Sequence, residues 1–326
     1  MSAPYLLRLL CLSLASFFLV NAFVGLMIWL VSRKAIRIAE KMRARSAARF
    51  LFFLRLVGPA SGMAVVLVLC VPSYLWLEPQ FALERLGLVC LVLAVLGAAG
   101  WCISIVRTTS AIVASSSLMR KWRRGGRKTQ IALGTSRAAV VEKETPLLAL
   151  AGVFRPQLLV SRGVLQALSN EQLDVALQHE NAHLVSRDNL KRLLFFVTPD
   201  AFPLAKTLAS IERSWAKLSE WAADDEAARG DSNRALLLAE ALLRVARMGA
   251  GPGLSYLHTS LVGGDRDLRA RVDRLLSLEA LPAARPTPGP SPRIKGALWL
   301  VVCVVVLTAG PAALSSIHRL LELFVR

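Results

Sequence analysis

The stretch Leu9–Val31, LLCLSLASFFLVNAFVGLMIWLV, runs for 23 residues without an Asp, Glu, Lys or Arg. An α-helix rises about 1.5 Å per residue, so roughly 20 such residues cross a hydrocarbon core of about 30 Å. Three more runs share the property: Leu56–Leu77, Leu86–Val106 and Gly296–Leu314, of 22, 21 and 19 residues. Buried helices of water-soluble proteins rarely need so many uncharged residues in succession, and the four runs read as transmembrane helices. A cleaved signal peptide does not account for the first. Its apolar run exceeds the 7–15 residues of a signal core, and Arg33 and Lys34 stand where small cleavage-site residues belong.

Outward from these runs, the composition divides cleanly. The chain has 326 residues, 55% hydrophobic and 19% charged, with a formal net charge of +18. All of its charged residues lie outside the four runs, where they reach about the quarter that ordinary soluble domains carry. Disorder, collagen and a disulfide-stapled miniprotein are excluded on composition. The excess positive charge is also localised. Residues 32–55 hold eight Lys/Arg against Glu40 alone, and residues 107–128 hold seven with no acid. Residues 78–85 hold only Glu78, Glu84 and Arg85. Basic loops stay on the cytosolic side, so the first loop and everything from 107 to 295 are expected in the cytosol of a cell-membrane protein. The N-terminus and residues 315–326 then lie outside.

Nucleic-acid binding is the competing account of the charge. The basic residues flank apolar spans and lack interleaved aromatic platforms, so topology explains them better and no direct nucleic-acid partner is expected; the partner they imply is the lipid bilayer. The five cysteines (Cys11, Cys70, Cys90, Cys102, Cys303) all fall inside the spans. They serve neither a cytosolic metal site nor a disulfide in a soluble compartment.

The organisation expected is therefore residues 1–128 with three spans, a folded domain at 129–281, a Pro-rich tether at 282–295, and 296–326 with the fourth span and a short tail. Within the domain, Ile131–Leu133, Ala138–Val141, Leu147–Ala151 and Leu158–Val160 read as short strands of a small sheet. Ser169 stands three residues before Gln172, a capping box that opens a helix through about Val185. Further helices are expected over about Ile211–Ala228, stopping at Gly230, over Asn233–Met248, and from Asp265 to about Leu278. Leu193–Leu204 is apolar but broken by Pro199, Asp200 and Pro203. It reads as a buried helix plus loop, or as a patch resting against the bilayer.

The capped helix contains His179-Glu180-Asn181-Ala182-His183, the pattern H-E-x-x-H. Residues four apart share a helix face, so both imidazoles can point at one ion. Glu180 is turned about 100° away and can reach a water beside that ion as general base. Catalytic zinc takes three protein ligands plus water. His258 and His318 lack a comparable context, and no cytosolic cysteine exists, so the third ligand is expected to be a carboxylate. Glu220 leads; Asp224, one helical turn on, can orient a ligand histidine. Asp225 and Glu226 compete, and a solvated acidic helix face is the plain alternative for all four.

Taken together, these residues resemble the integral-membrane zinc metallopeptidases of the BlaR/MecR antirepressor type. The likeness lies in Leu173–Leu190 with H-E-x-x-H followed by Arg187-Asp188-Asn189, in Glu220-x-x-x-Asp224, in Gly152–Arg162 and Asp265–Leu278, and in the order of spans and domain. The resemblance implies His179, His183 and Glu220 as ligands of Zn2+, Glu180 as catalytic base and Asp224 as orienting partner. It also implies a protein substrate in the cytosol or near the membrane, a transcriptional repressor among the options. The fold class expected is a mainly α membrane protein of four transmembrane helices plus a cytosolic α+β, zincin-like domain with a small sheet. Two departures stand out. Only Ser315–Arg326 follow the fourth span, where the antibiotic-sensing members carry a penicillin-binding domain, so β-lactam sensing by this chain is not expected. Asn181 occupies a position where an aliphatic residue belongs. The membrane peptidases of the HtpX and CAAX-processing type share the motif with spans distributed differently, and are the alternative within the same chemistry. A membrane signalling scaffold with structural zinc is the alternative outside it, and the intact Glu180 argues against that.

Overall fold

The computed structural model describes residues 3–77, 87–125, 130–133, 136–142, 144, 146–154, 156–200, 208–248, 259–260 and 265–278. The fourth apolar run, the Pro-rich tether, His258 and His318 lie outside the described residues. Three helical stretches, Tyr5–Glu40, Ala44–Trp76 and Leu88–Ser117, are long and apolar enough to cross a membrane. They belong to α1 (Ala3–Glu40), to α2 (Ala44–Val65) with its continuation, and to α4 (Leu88–Gly125). The continuation of α2 passes through a π-helical turn at Val66–Cys70 into α3 (Val71–Leu77). Side chains such as Phe23 (63%) and Leu30 (60%) point away from the protein, as lipid-facing residues of a span must. Inside the bundle, small residues set the spacing. A Cβ on Gly97 would lie 2.6 Å from the Leu14 carbonyl oxygen of α1, and one on Gly58 would lie 2.8 Å from Asn21 Oδ1.

The helices overrun the charge-free runs. α1 continues to Glu40, and α4 continues from Val106 to Gly125. The basic segments expected as loops are therefore helical, apart from the turn before α2. The end of an apolar run marks a change of surroundings and not of backbone conformation. Ala, Lys and Arg after Val31 and Val106 are all good helix formers, and nothing there breaks the helix.

The extension of α4 touches the domain. Met119 packs on one face of a mixed sheet, against Val141, Leu147, Ala149, Ala151 and Leu159. The sheet contains β1 (Gln130–Leu133), β2 (Ser136–Val141), β3 (Leu148–Ala151), β4 (Gln157–Ser161) and β5 (Thr259–Ser260) in the order β1-β2-β4-β3-β5. β2 and β4 are parallel, with Val140 opposite Val160; the other pairs are antiparallel, with Leu150 opposite Leu158. The first four strands match the expected apolar runs, and β5 was not foreseen.

After the one-and-a-half-turn helix α5 (Arg162–Ala167), the helices are α6 (Asn170–Ser186), α7 (Asp188–Val197), α8 (Ala209–Ala228), α9 (Ser232–Arg247) and α10 (Asp265–Leu278). The capping box forms as expected: Ser169 Oγ accepts from the Gln172 N–H, and Gln172 Oε1 accepts from the Ser169 N–H, both at 3.2 Å. Arg187 and Arg229 adopt left-handed backbone angles (φ 56° and 52°) and end α6 and α8. Arg187 turns the chain so that α7 leaves α6 at once. One core, including Leu148, Val160, Val175, Leu177, Leu238 and Leu242, lies between the sheet and α6, α9 and α10.

A second core joins the domain to the long helices. Ile28, Leu51 and Phe52 of α1 and α2 pack with Phe195, Ile211, Trp215 and Leu218 of α7 and α8. The segment past α7 goes further into the bundle: Asn21 Nδ2 of α1 donates to the Pro199 carbonyl oxygen at 3.3 Å. Of the two readings of Leu193–Leu204, the described part (193–200) thus takes the buried form, covered by the long helices themselves; residues 201–207 lie outside the described set.

Candidate metal centre

The site stands where α6, α7, α8 and α10 meet beside β3. Adjacent turns of α6 put His179 and His183 on its inner face, both fully buried, while Asn181 points outward to solvent. The polar residue in the motif therefore neither loosens the helix packing nor adds a group to the site. From α8, Glu220 reaches the two imidazoles. His183 Nε2 and His179 Nε2 lie 3.2 Å apart, and the Glu220 carboxylate oxygens lie 3.5 Å from one and 3.6 Å from the other. Among the described residues, His179, His183 and Glu220 form a group able to hold a metal ion.

The far nitrogens fix the tautomers. His183 Nδ1 donates to Asp188 Oδ2 at 2.7 Å, and His179 Nδ1 faces Asp224 Oδ1 at 3.0 Å, off the line of its N–H. A carboxylate can only accept, so each ring keeps a proton on Nδ1 and presents Nε2 inward, where a metal ion would take the place of a second proton. Two ring nitrogens and a carboxylate thus converge on one point, with the Arg271 guanidinium 3.4 Å from His179 Nε2 on one side. Tetrahedral zinc with bonds of about 2.0–2.1 Å separates its ligand atoms by about 3.3 Å, the spacing found here. The buried Oε1 of Glu180 also has no hydrogen-bond donor. The residues fit a divalent ion.

Glu180, on the neighbouring face of α6, accepts from the Leu150 N–H of β3 through Oε2 at 3.1 Å. Asn189, the second residue of α7, donates to the carbonyl oxygens of Leu150 and Gly152 at 3.0 and 2.9 Å and ties β3 to the same corner. Burial pushes the Glu180 carboxyl up to about 7. For His183, burial acts to lower the value, but the Glu220 and Asp188 carboxylates outweigh it and push it up to about 10. Glu220 is held well below the usual carboxylate range: burial opposes this, but the charge of His183 prevails, aided by His179 and Arg271. Without a metal ion, protons supply the positive charge that the carboxylates demand.

Two cations of the site escaped the sequence reading. Arg271, buried on α10, makes a two-pronged pair with Asp224 at 2.7 and 2.9 Å and stands 3.2 Å from Glu220 Oε2. Burial works against its charge, but Asp224 and Glu220 more than compensate and keep it protonated. Arg192 of α7 stands 3.8 Å from Glu220 Oε1. Asp188, marked in the sequence only by the likeness of Arg187-Asp188-Asn189, gains a role from its contact with His183. Lys191 Nζ (2.8 Å) and Ser186 Oγ (2.7 Å) hold its other oxygen. No local pattern marks Arg271, whose place depends on α10 folding back over α8. The competing acids are engaged elsewhere: Asp225 accepts from Arg274 Nη2 at 2.6 Å, and Glu226 lies 3.6 Å from Arg45 of α2. The chain matches no family model and no curated protein.

Proposed function

We propose that the chain is an integral-membrane zinc metallopeptidase whose domain faces the cytosol and cleaves a cytosolic or membrane-proximal protein, a transcriptional repressor being one such substrate. The observation that carries this reading is the convergence of His179 Nε2, His183 Nε2 and the Glu220 carboxylate beside a buried, partly unpaired Glu180. Zinc bound there would supply Lewis acidity toward the scissile carbonyl and lower the pKa of a water to about 7. Glu180 takes the proton from the attacking water and passes it to the leaving amine, a task suited to a carboxyl raised toward neutrality. Asp188 holds the His183 ring by its outer nitrogen, and Asp224 stands 3.0 Å from that of His179. Arg271 balances Glu220 and Asp224 and keeps both ionised. The BlaR/MecR resemblance supports the same assignment, and the basic segments around the long helices support the orientation.

The test is to purify the full chain with and without Glu180→Gln, measure bound zinc, and compare proteomes of cells expressing each for a product that depends on Glu180. Stoichiometric zinc in both and a product only with the unaltered chain is the result expected. Absence of zinc from the unaltered chain would remove the mechanism. Zinc without any Glu180-dependent product would favour a membrane scaffold with a structural ion.

A further inference from the structure

We infer that Arg55, on the second long helix, is a positioning residue of the metal centre: it clamps together the near ends of α7 and α8, whose other parts carry Asp188 and Glu220. The inference rests on the metallopeptidase reading above. The Arg55 side chain is fully buried. Its Nε donates to Glu212 Oε1 at 2.7 Å, and its Nη2 makes a short contact with Asp200 Oδ1. Asp200 lies just past the end of α7, and Glu212 is in the first turn of α8. One guanidinium therefore joins the segment just after α7 to the first turn of α8. Arg107 of α4 donates to the other Asp200 oxygen at 2.8 Å, so two long helices hold the same carboxylate.

Both arms lead to the metal ligands. α8 is unbroken from Glu212 to Glu220, eight residues and about 12 Å of rigid helix. α7 begins at Asp188, whose carboxylate fixes the His183 ring. Between clamp and site the two helices are wedged together. Phe195 meets Trp215 edge-on at 5.0 Å, and Arg192 lies over the Trp215 ring while facing Glu220. A ligand set works only within about 0.5 Å of its geometry. A shift of α2 that splays α7 from α8 would move Glu220 away from the imidazoles, and the long helices would thereby govern metal coordination. Lysine cannot replace this arginine fully, because a single ammonium does not reproduce a planar fork gripping two carboxylates.

The experiment uses the full chain in detergent, titrated with Co2+, whose visible absorption reports coordination number. Arg55→Met, Arg55→Lys and Glu212→Gln are compared with the unaltered chain, each checked for monodisperse elution and a cooperative thermal transition. Co2+ affinity is expected to fall about 10–100-fold in Arg55→Met, the range typical of losing a ligand's outer partner. The absorption envelope should change with it, Arg55→Lys should fall between, and Glu212→Gln, which keeps shape and loses one arm, should shift the same way. If the unaltered chain binds Co2+ and the folded variants bind it with the same affinity and spectrum, the inference is overturned even where their unfolding temperatures drop. If the unaltered chain binds no Co2+, the metallopeptidase reading itself falls.

Discussion

Removing the Asp188 carboxylate should weaken metal binding by an amount that its surroundings set. Asp188 is buried and accepts from His183 Nδ1 at 2.7 Å. In Asp188→Ala the Nδ1–H has no acceptor, and a buried donor left unsatisfied costs about 1–3 kcal/mol. At about 1.4 kcal/mol per tenfold, that is roughly 10–100-fold in affinity, in line with other losses of an outer carboxylate. The imidazole also becomes free to carry its proton on Nε2, which disables it as a ligand, so the alanine variant should fall near the weak end. Asp188→Asn keeps an oxygen facing Nδ1 but loses the charge, and its amide would confront Lys191 Nζ, now 2.8 Å from the carboxylate. About tenfold is expected there. The assay is competition for Zn2+ between the purified full chain and a chromophoric chelator at fixed pH. Glu171→Gln, an exposed change in the first turn of α6, serves as a control that should bind normally. An Asp188→Ala chain that holds zinc within twofold of the unaltered one would refute the claim that Asp188 prepares His183 to bind.

Other consequences can be checked with the same material. Glu180→Gln should retain zinc and lose peptide hydrolysis by at least about 100-fold, the lower bound usual for a general base, when turnover of an identified substrate is measured. Metal affinity should rise with pH across the neutral range by about tenfold per unit, because His183, pushed up to about 10, must release a proton for each ion bound. The rise should level off near 10, and chelator competition at several pH values reads the slope; a flat profile would exclude a protonated His183. Gly163→Ala would place a Cβ 2.1 Å from the Glu144 carbonyl oxygen, a backbone atom that cannot swing aside. Thermal unfolding of that variant should show a loss of about 1–3 kcal/mol or more, as overpacking usually does.

Local chemistry made much of this architecture legible. The Ser169–Gln172 capping box located α6 to within a residue, and the apolar runs from Ile131 to Val160 located four strands, because both signals act over a few neighbouring residues. Helical spacing put His179 and His183 on one face, with Glu220 reaching the imidazoles and Asp224, one turn on, 3.0 Å from His179 Nδ1. What stayed hidden depends on distant contacts. Arg271 is one of many arginines until α10 packs over α8. Pro199 and Asp200 look like loop breakers until α1, α2 and α4 close around them. In the extensions of α1 and α4, charge marks the end of the apolar surroundings but not of the helix.

That last point bears on where one part of the protein stops and the next begins. By composition the boundary falls near residue 128, after the last basic cluster. Packing places it elsewhere. Met119 of α4 packs on one face of the sheet, and the aromatic wedge of Phe195 and Trp215 is completed by Leu51 and Phe52 of α2. Burying a side chain of this size contributes about 1.5–3 kcal/mol, so stripping the long helices from the domain would uncover several such contributions at once, comparable with a whole domain's net stability. The buried Arg55 fits the same logic. A charge so fully removed from water is tolerated only with its partners in place, and those partners lie at the ends of the two helices that frame the metal centre. The long helices therefore form part of the wall of the domain that carries His179, His183 and Glu220, and any force that moves them acts on that cluster.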